Sequence, residues 1–135
     1  HLPLYETILL DVALPLLFKG VDKKTRLKLA RKELKSMGLL GRADHLPTEM
    51  SGGQQQRAGI ARAFVTRPQV IFADEPTGNL DSETTRNVME LSRSLVRENN
   101  GTMILVTHDN SVATYADKII EITDGKITKE TEVIK

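Results

Sequence analysis

Two short runs carry residue types suited to phosphate chemistry: Ser51-Gly52-Gly53-Gln54-Gln55-Gln56-Arg57 and Val70-Ile71-Phe72-Ala73-Asp74-Glu75. The first places a hydroxyl and two glycines where a helix should begin. A helix start leaves N–H groups unpaired and carries partial positive charge, so an anion fits there. Glycines let a phosphate come close to the backbone, and the Ser51 hydroxyl adds a donor. Alone, Ser-Gly-Gly would be no more than an N-cap and a turn. Followed by Gln-Gln-Gln-Arg, and then by an apolar strand closing in two carboxylates, it reads as a phosphate contact.

Asp74 and Glu75 end that strand, and neighbouring strand side chains point to opposite faces, so the two should not share one task. An Asp at a strand end suits Mg²⁺, which prefers hard oxygen ligands and keeps much of its water. A Glu one residue further on could orient or deprotonate an attacking water. The plain reading of this pair is a solvated acidic turn before Pro76. His108 follows Thr107 at the end of a second apolar strand. Ligands of open parallel sheets gather at the carboxyl ends of strands, so His108 should converge there with Asp74 and Glu75 and donate to a terminal phosphate.

The elements that would position these groups can be read along the chain. Residues 1–20 read as a loop and an apolar segment containing Pro3 and Pro15. A helix is predicted from Asp22 to Met37, with Asp22 as N-cap, Leu27, Ala30, Leu34 and Met37 at helical spacing, and Gly38 as its stop. Gly38 to Glu49 is a connector with a helical turn at most. A second helix starts at Ser51 and ends before Pro68, burying Ala58, Ala61 and Val65. Val70–Ala73 follows as a strand too uniformly apolar to have a wet face. A helix from Ser82 to Glu98 buries Val88, Leu91 and Leu95 and stops at Asn99-Asn100-Gly101. Then come a strand over Met103–Thr107, a short helix over Asn110–Ala116, a strand over Lys118–Thr123 and an Asp124-Gly125 hairpin turn into a strand at Lys126. Apolar strands alternating with amphipathic helices imply an α/β fold with a parallel sheet covered on both faces. The chain divides into a helical part, 1–67, and an α/β part, 68–135.

Totals narrow the function. A chain of 135 residues fits one domain or a large piece of one. There is no cysteine, which excludes disulfides and thiolate metal sites. The apolar stretch Ile8 to Phe18, broken by Asp11 and Pro15, is too short to span a bilayer. A formal charge of +1 argues against a dedicated nucleic-acid binder, and no nucleic-acid partner is expected. The basic run Lys23, Lys24, Arg26, Lys28, Arg31, Lys32 and Lys35 avoids the apolar stripe of its helix and reads as a solvated face, with a negatively charged membrane surface as the minority reading.

These motifs together resemble the ATP-binding subunits of ABC transporters. Met50–Gln54 is similar to the family's signature motif with Met in place of Leu, an apolar swap of similar size. Val70–Glu75 resembles the Walker B strand with its catalytic glutamate, Asn79-Leu80-Asp81 the D-loop, and Thr107-His108 the switch histidine. His45-Leu46-Pro47 and Ala73 through Ser82 resemble most the branch of lipoprotein-releasing, macrolide-export, antimicrobial-peptide-export and cell-division ATPases. Leu2–Gly20 is similar to the segment after that branch's Q-loop. The resemblance implies a P-loop NTPase-like fold in which two subunits pack head to tail around two ATP molecules with Mg²⁺. Ser51, Gly52 and Gly53 would contact the γ-phosphate held by the partner subunit, and Gln54 would shape the start of the signature helix. Asp74 would serve the metal, Glu75 and His108 the catalysis, and Asp81 signalling across the dimer. It also implies transmembrane permease partners, a cytoplasmic position on the inner face of the membrane, and export driven by hydrolysis. A cell-division or other non-transport ATPase, or a non-catalytic signature or docking module, are the alternatives.

No G-x-x-x-x-G-K-[ST] loop occurs between His1 and Lys135. By the resemblance, the Walker A loop and strand, the adenine-stacking aromatic and the Q-loop glutamine would precede His1, itself a sign of a chain cut from something longer. The 135-residue piece alone is therefore expected neither to bind nucleotide tightly nor to hydrolyse it. In the family the Walker A strand lies between the strands ending at Thr107 and beginning at Lys118. Without it those strands should pair directly, take in a strand from another copy, or leave sticky apolar edges. Self-association through this edge is the expectation.

Overall fold

A computed structural model describes residues 6–134. Pro3 and the first residues of the Leu2–Gly20 segment lie outside the described residues.

The first element corrects the sequence reading. Ile8–Phe18 is a helix, α1, with Pro15 inside it. The Thr7 hydroxyl caps it by accepting from Leu10 N, and the connector carbonyls of His45 and Ala43 take the N–H groups of Ile8 and Leu9. Pro15 removes one intrahelical bond, an interior cost of about 3 kcal/mol. Against that, Ile8, Leu9, Val12 and Leu16 are buried. Each such side chain contributes about 1.5–3 kcal/mol of transfer energy, so packing prevails over the proline.

The second helix, α2, runs Lys23–Ser36, and the Asp22 carboxylate accepts from Thr25 N at 3.1 Å. Its chain reverses at Gly38, whose φ of 70° is costly for other residues. Two single 3₁₀ turns, Leu40–Arg42 and Pro47–Glu49, lead to α3, Gly52–Phe64. Ala30 and Leu34 of α2, Ala58, Ala61 and Phe64 of α3, and the inner face of α1 share one core with Met37 and Leu39.

A β–α–β unit follows. Strand β1 (Val70–Asp74) pairs in parallel with β2 (Thr102–Val106), Ile71 against Met103 and Asp74 against Val106, with α4 (Ser82–Glu98) between them in sequence. Val88 and Leu95 of α4 join the same core, with Leu91 partly buried against it. A short α5 (Asn110–Ala113) leads to β3 (Lys118–Thr123) and β4 (Lys126–Glu132), an antiparallel hairpin turned by Asp124 and Gly125. Both turn residues have positive φ, 53° and 76°, as a two-residue type I′ turn demands.

The strands were expected to have no wet face, and this is the second correction. Ile71 is buried, whereas Phe72 is 76% exposed and Val70, Ile104 and Val106 also stand open. Side chains alternate across a strand. The helices cover one side of β1–β2, and no described element packs on the other. β2 and β3 do not pair; they belong to separate two-stranded sheets. Direct pairing of these strands, one of the three expected outcomes, is thus not adopted, and the single chain leaves apolar residues open, with Ile122 65% and Ile127 60% accessible.

One polar network crosses the helices. Arg67, at φ 54° between α3 and β1, pairs with the buried Glu33 of α2 at 3.2 Å and donates to the side-chain oxygen of Asn99 at the end of α4. Burial pushes the Glu33 carboxyl up, opposed by the Arg67 charge. Among the described residues no helix is long and apolar enough to cross a membrane.

Candidate functional site

Ser51 is the N-cap of α3. Its Oγ accepts from Gln54 N at 3.2 Å, and Gln54 Oε1 accepts from Ser51 N at 3.0 Å. This reciprocal capping box fixes where α3 begins. The Ser51 oxygen serves the cap while its hydroxyl proton remains available to a further acceptor. Gly52 and Gly53 occupy the first turn, whose N–H groups have no partner within the helix. The capping reading of Ser51 is met, and the same helix start leaves N–H groups of the kind an anion can use.

Asp81 caps α4 in the same way, with Oδ1 accepting from Thr84 N at 3.0 Å. Hydrogen bonds from the Thr84 side chain and N–H hold the Asp81 carboxyl below the usual carboxylate range. The starts of α3 and α4 lie side by side around a cleft of about 340 Å³, lined by Ser51, Gly52, Gly53, Gln54, Asp81 and Thr84 among others.

The ends of β1 and β2 form the second half of the site. Glu75 N donates to Val106 O at 2.8 Å, continuing the parallel ladder, and the Glu75 backbone then turns to φ 47°. A left-handed conformation is uncommon for a residue with a side chain and marks a held position. Its carboxylate reaches across to the end of β2. Oε1 accepts from His108 N at 2.8 Å and lies 3.5 Å from His108 Nε2, while Oε2 lies 3.3 Å from Thr107 Oγ1. Glu75 and His108 are thus brought together as the strand-end rule predicts, whereas Asp74, expected to converge with them, lines a separate cleft because it sits on the opposite side of the strand end. The His108 ring is 97% exposed, free to reach toward a ligand above the strand ends.

Asp74 faces the other way, lining a cleft of about 310 Å³ between α3 and β1, whereas Glu75 and His108 line one of about 640 Å³. The opposite-face expectation for the two adjacent carboxylates is met in this split. Among the described residues no group of three or more His, Cys, Asp or Glu forms a metal cage. A lone strand-end carboxylate fits Mg²⁺, which is commonly held by one or two carboxylates together with substrate phosphates.

Residue types alone did not reveal several neighbours of this site. Arg86 and Tyr115 line the Glu75–His108 cleft. Asp109 caps α5, accepting from Ser111 N at 2.8 Å, and its own N–H donates to Thr107 Oγ1 at 3.0 Å. The Ser111 bonds hold the Asp109 carboxyl below its ordinary range. The Asp109-Asn110-Ser111 cap was a readable signal for the last of these; Arg86 and Tyr115 gave none.

With this geometry in view, known proteins fall into place beside it. The family model described as ABC transporter matches residues 4–78. The macrolide export ATP-binding/permease protein MacB of Mannheimia succiniciproducens is 48% identical over 122 residues, covering 90% of this chain and 19% of its own length. An uncharacterized ABC transporter ATP-binding protein of Methanocaldococcus jannaschii is 46% identical over 129 residues, covering 96% of this chain and 57% of itself. Among solved structures, a dimeric ATP-binding cassette in a post-hydrolysis state with ADP and Pi aligns at a TM-score of 0.85 and 40% identity, over all of this chain and 60% of that one. The chain thus spans about a fifth to three-fifths of the proteins it matches. Its architecture is that of part of an ATP-binding cassette, and the chain belongs to the ABC transporter family.

Proposed function

We propose that this chain is the signature-bearing part of an ABC ATPase subunit that couples Mg-ATP binding and hydrolysis to export across a membrane. Residues 1–67 would form its helical subdomain and 68–135 part of the ATPase core. The observation that carries the reading is the separation of the two half-sites. Ser51, Gly52, Gly53 and Gln54 line one cleft and Glu75 and His108 line another, with Leu80 in the wall of both. Two incomplete clefts adjoining at Leu80 on one chain suit two copies arranged head to tail, each closing the other's nucleotide site, which agrees with the dimeric form of the similar cassette.

Within such a site each residue has a distinct task. The helix start at Ser51-Gly52-Gly53 meets the terminal phosphate of the nucleotide on the opposite copy, offering N–H groups, the helix dipole and a hydroxyl proton. Glu75, anchored by His108 N and Thr107, takes a proton from the attacking water. The exposed His108 imidazole donates to the γ-phosphate as charge develops on it. Asp74 would hold Mg²⁺, which neutralises charge on the β- and γ-phosphates when bound. Asp81, fixed at the start of α4 beside the signature turn, relays the state of one site to the other. Permease subunits and a cytoplasmic position on the inner membrane face complete the assembly; the MacB relatives are named as joint ATP-binding and permease proteins.

The test is Glu75→Gln in the complete protein. Loss of a general base is expected to lower ATP turnover by about 10²-fold or more with the fold unchanged. Unaltered turnover would remove Glu75 from the role and with it the reading of this site.

A further inference from the structure

The two signature glycines stand in different surroundings. A Cβ placed on Gly52 would meet only the Leu80 Cδ2 methyl at 3.8 Å, an ordinary contact. A Cβ placed on Gly53 would overlap the Thr84 Cγ2 methyl outright, while Thr84 Cβ and Oγ1 would remain at 3.8 and 4.0 Å. Gly53 is buried and Gly52 is exposed. The space that Gly53 leaves open is thus already filled, by one methyl group of this same chain.

Thr84 has little freedom to move that methyl. It occupies the third position of α4, where its N–H bonds to Asp81 Oδ1 at 3.0 Å. A β-branched side chain on a helix has few χ1 choices, and in the one it adopts the Cγ2 methyl lies against position 53. One residue therefore joins the cap of α4 through its N–H and meets the first turn of α3 with its methyl.

We propose that Thr84 is a positioning residue that keys the start of α3 to the start of α4, and that position 53 must be glycine because of Thr84 rather than because of a ligand. The inference rests on the function proposed above, in which both helix starts face nucleotide across a subunit boundary. A side chain at 53 would force the two starts apart and tilt Ser51 and Asp81 relative to each other. Gly52, with open space beside it, is left as the glycine whose absent side chain a phosphate can use.

The experiment is a double-mutant cycle in the complete protein, reading kcat, KM for ATP and thermal midpoint for Gly53→Ala, Thr84→Ala and the pair. Gly53→Ala is expected to lower kcat by about 10²-fold, the scale of a displacement near 1 Å in a reactive site. Adding Thr84→Ala should restore at least about tenfold of that loss, because it removes the methyl that a side chain at position 53 strikes. Gly52→Ala should also lose turnover, and Thr84→Ala should not restore it. Losses that multiply in the Gly53–Thr84 pair, or a thermal midpoint restored without turnover, would overturn the assignment, as would equal rescue of Gly52→Ala. Should Gly53→Ala not fold, a folded and active double variant supports the proposal and an unfolded or inactive one overturns it. Wild-type turnover and its loss in Glu75→Gln are the controls: if they fail, the underlying reading falls, and if they hold while rescue fails, only the role of Thr84 does.

Discussion

The helices before Pro68 and the strands after it handle hydrophobic residues in opposite ways. In α1, α2 and α3 the apolar stripes meet each other, and Ile8, Val12, Leu34 and Ala58 have almost no accessible surface. In the strands, Phe72, Ile104, Ile122 and Ile127 are just as apolar and stand in solvent. The difference lies in the number of covered faces, since a helix buries one stripe and a central strand needs a layer on each side. Hydrophobicity in a sequence records what must be covered. It does not record what covers it.

That contrast can be broken or sharpened by three substitutions in the 135-residue chain. Leu34→Ala should have the largest effect, a loss of about 2–5 kcal/mol in urea unfolding, because a packed core cannot close over the missing atoms. If it costs no more than a surface change, the helical core is not closed as described. Asp11→Asn should come next, with the opposite sign. Asp11 is fully buried on α1, neither carboxylate oxygen has a hydrogen-bond partner among the described residues, and desolvation pushes its pKa up to about 6 from 3.8, partly offset by Arg62. The native state thus holds a proton that the unfolded state releases between those values, so stability falls as pH rises through that window. Removing the charge should stabilise the chain by up to about 3 kcal/mol above that window, the gain fading as pH falls through it. A gain independent of pH would assign the effect to packing instead. Ile122→Ala should be smallest, within about 0.5 kcal/mol, because the side chain has little to lose on a bare face. A large loss there would mean that the hairpin is covered in solution, as self-association would bring about.

Much of this was legible in advance because local chemistry decided it. Asp22 and Ser51 each precede a helix and each caps it, and Asp124-Gly125 could hardly be anything but a tight turn. The convergence of Glu75 and His108 followed from their places at the ends of parallel strands. The helix α1 was not legible, because Pro15 suggested a break while the decisive partners were distant residues, the carbonyls of Ala43 and His45 and the facing helices. The open strand faces were misread because a run of apolar residues looks the same whether its second layer is present or not. The Gly53–Thr84 contact lay further out of reach, joining two turns that only the folded chain makes neighbours.

The β3–β4 hairpin shares no ladder with β1–β2, and its register rests on its own turn and a bulge between Glu121 and Ile122. An isolated two-stranded hairpin is marginal in water. Deuterium should therefore enter the amides of Ile119 to Ile122 through frequent local opening, while those of Val12 and Leu34 wait for the whole chain to come apart. Equal protection in both places would reveal cooperativity that the ladders alone do not supply. With unequal protection, the molecule in isolation behaves as a firm helical body carrying a ribbon that melts on its own schedule.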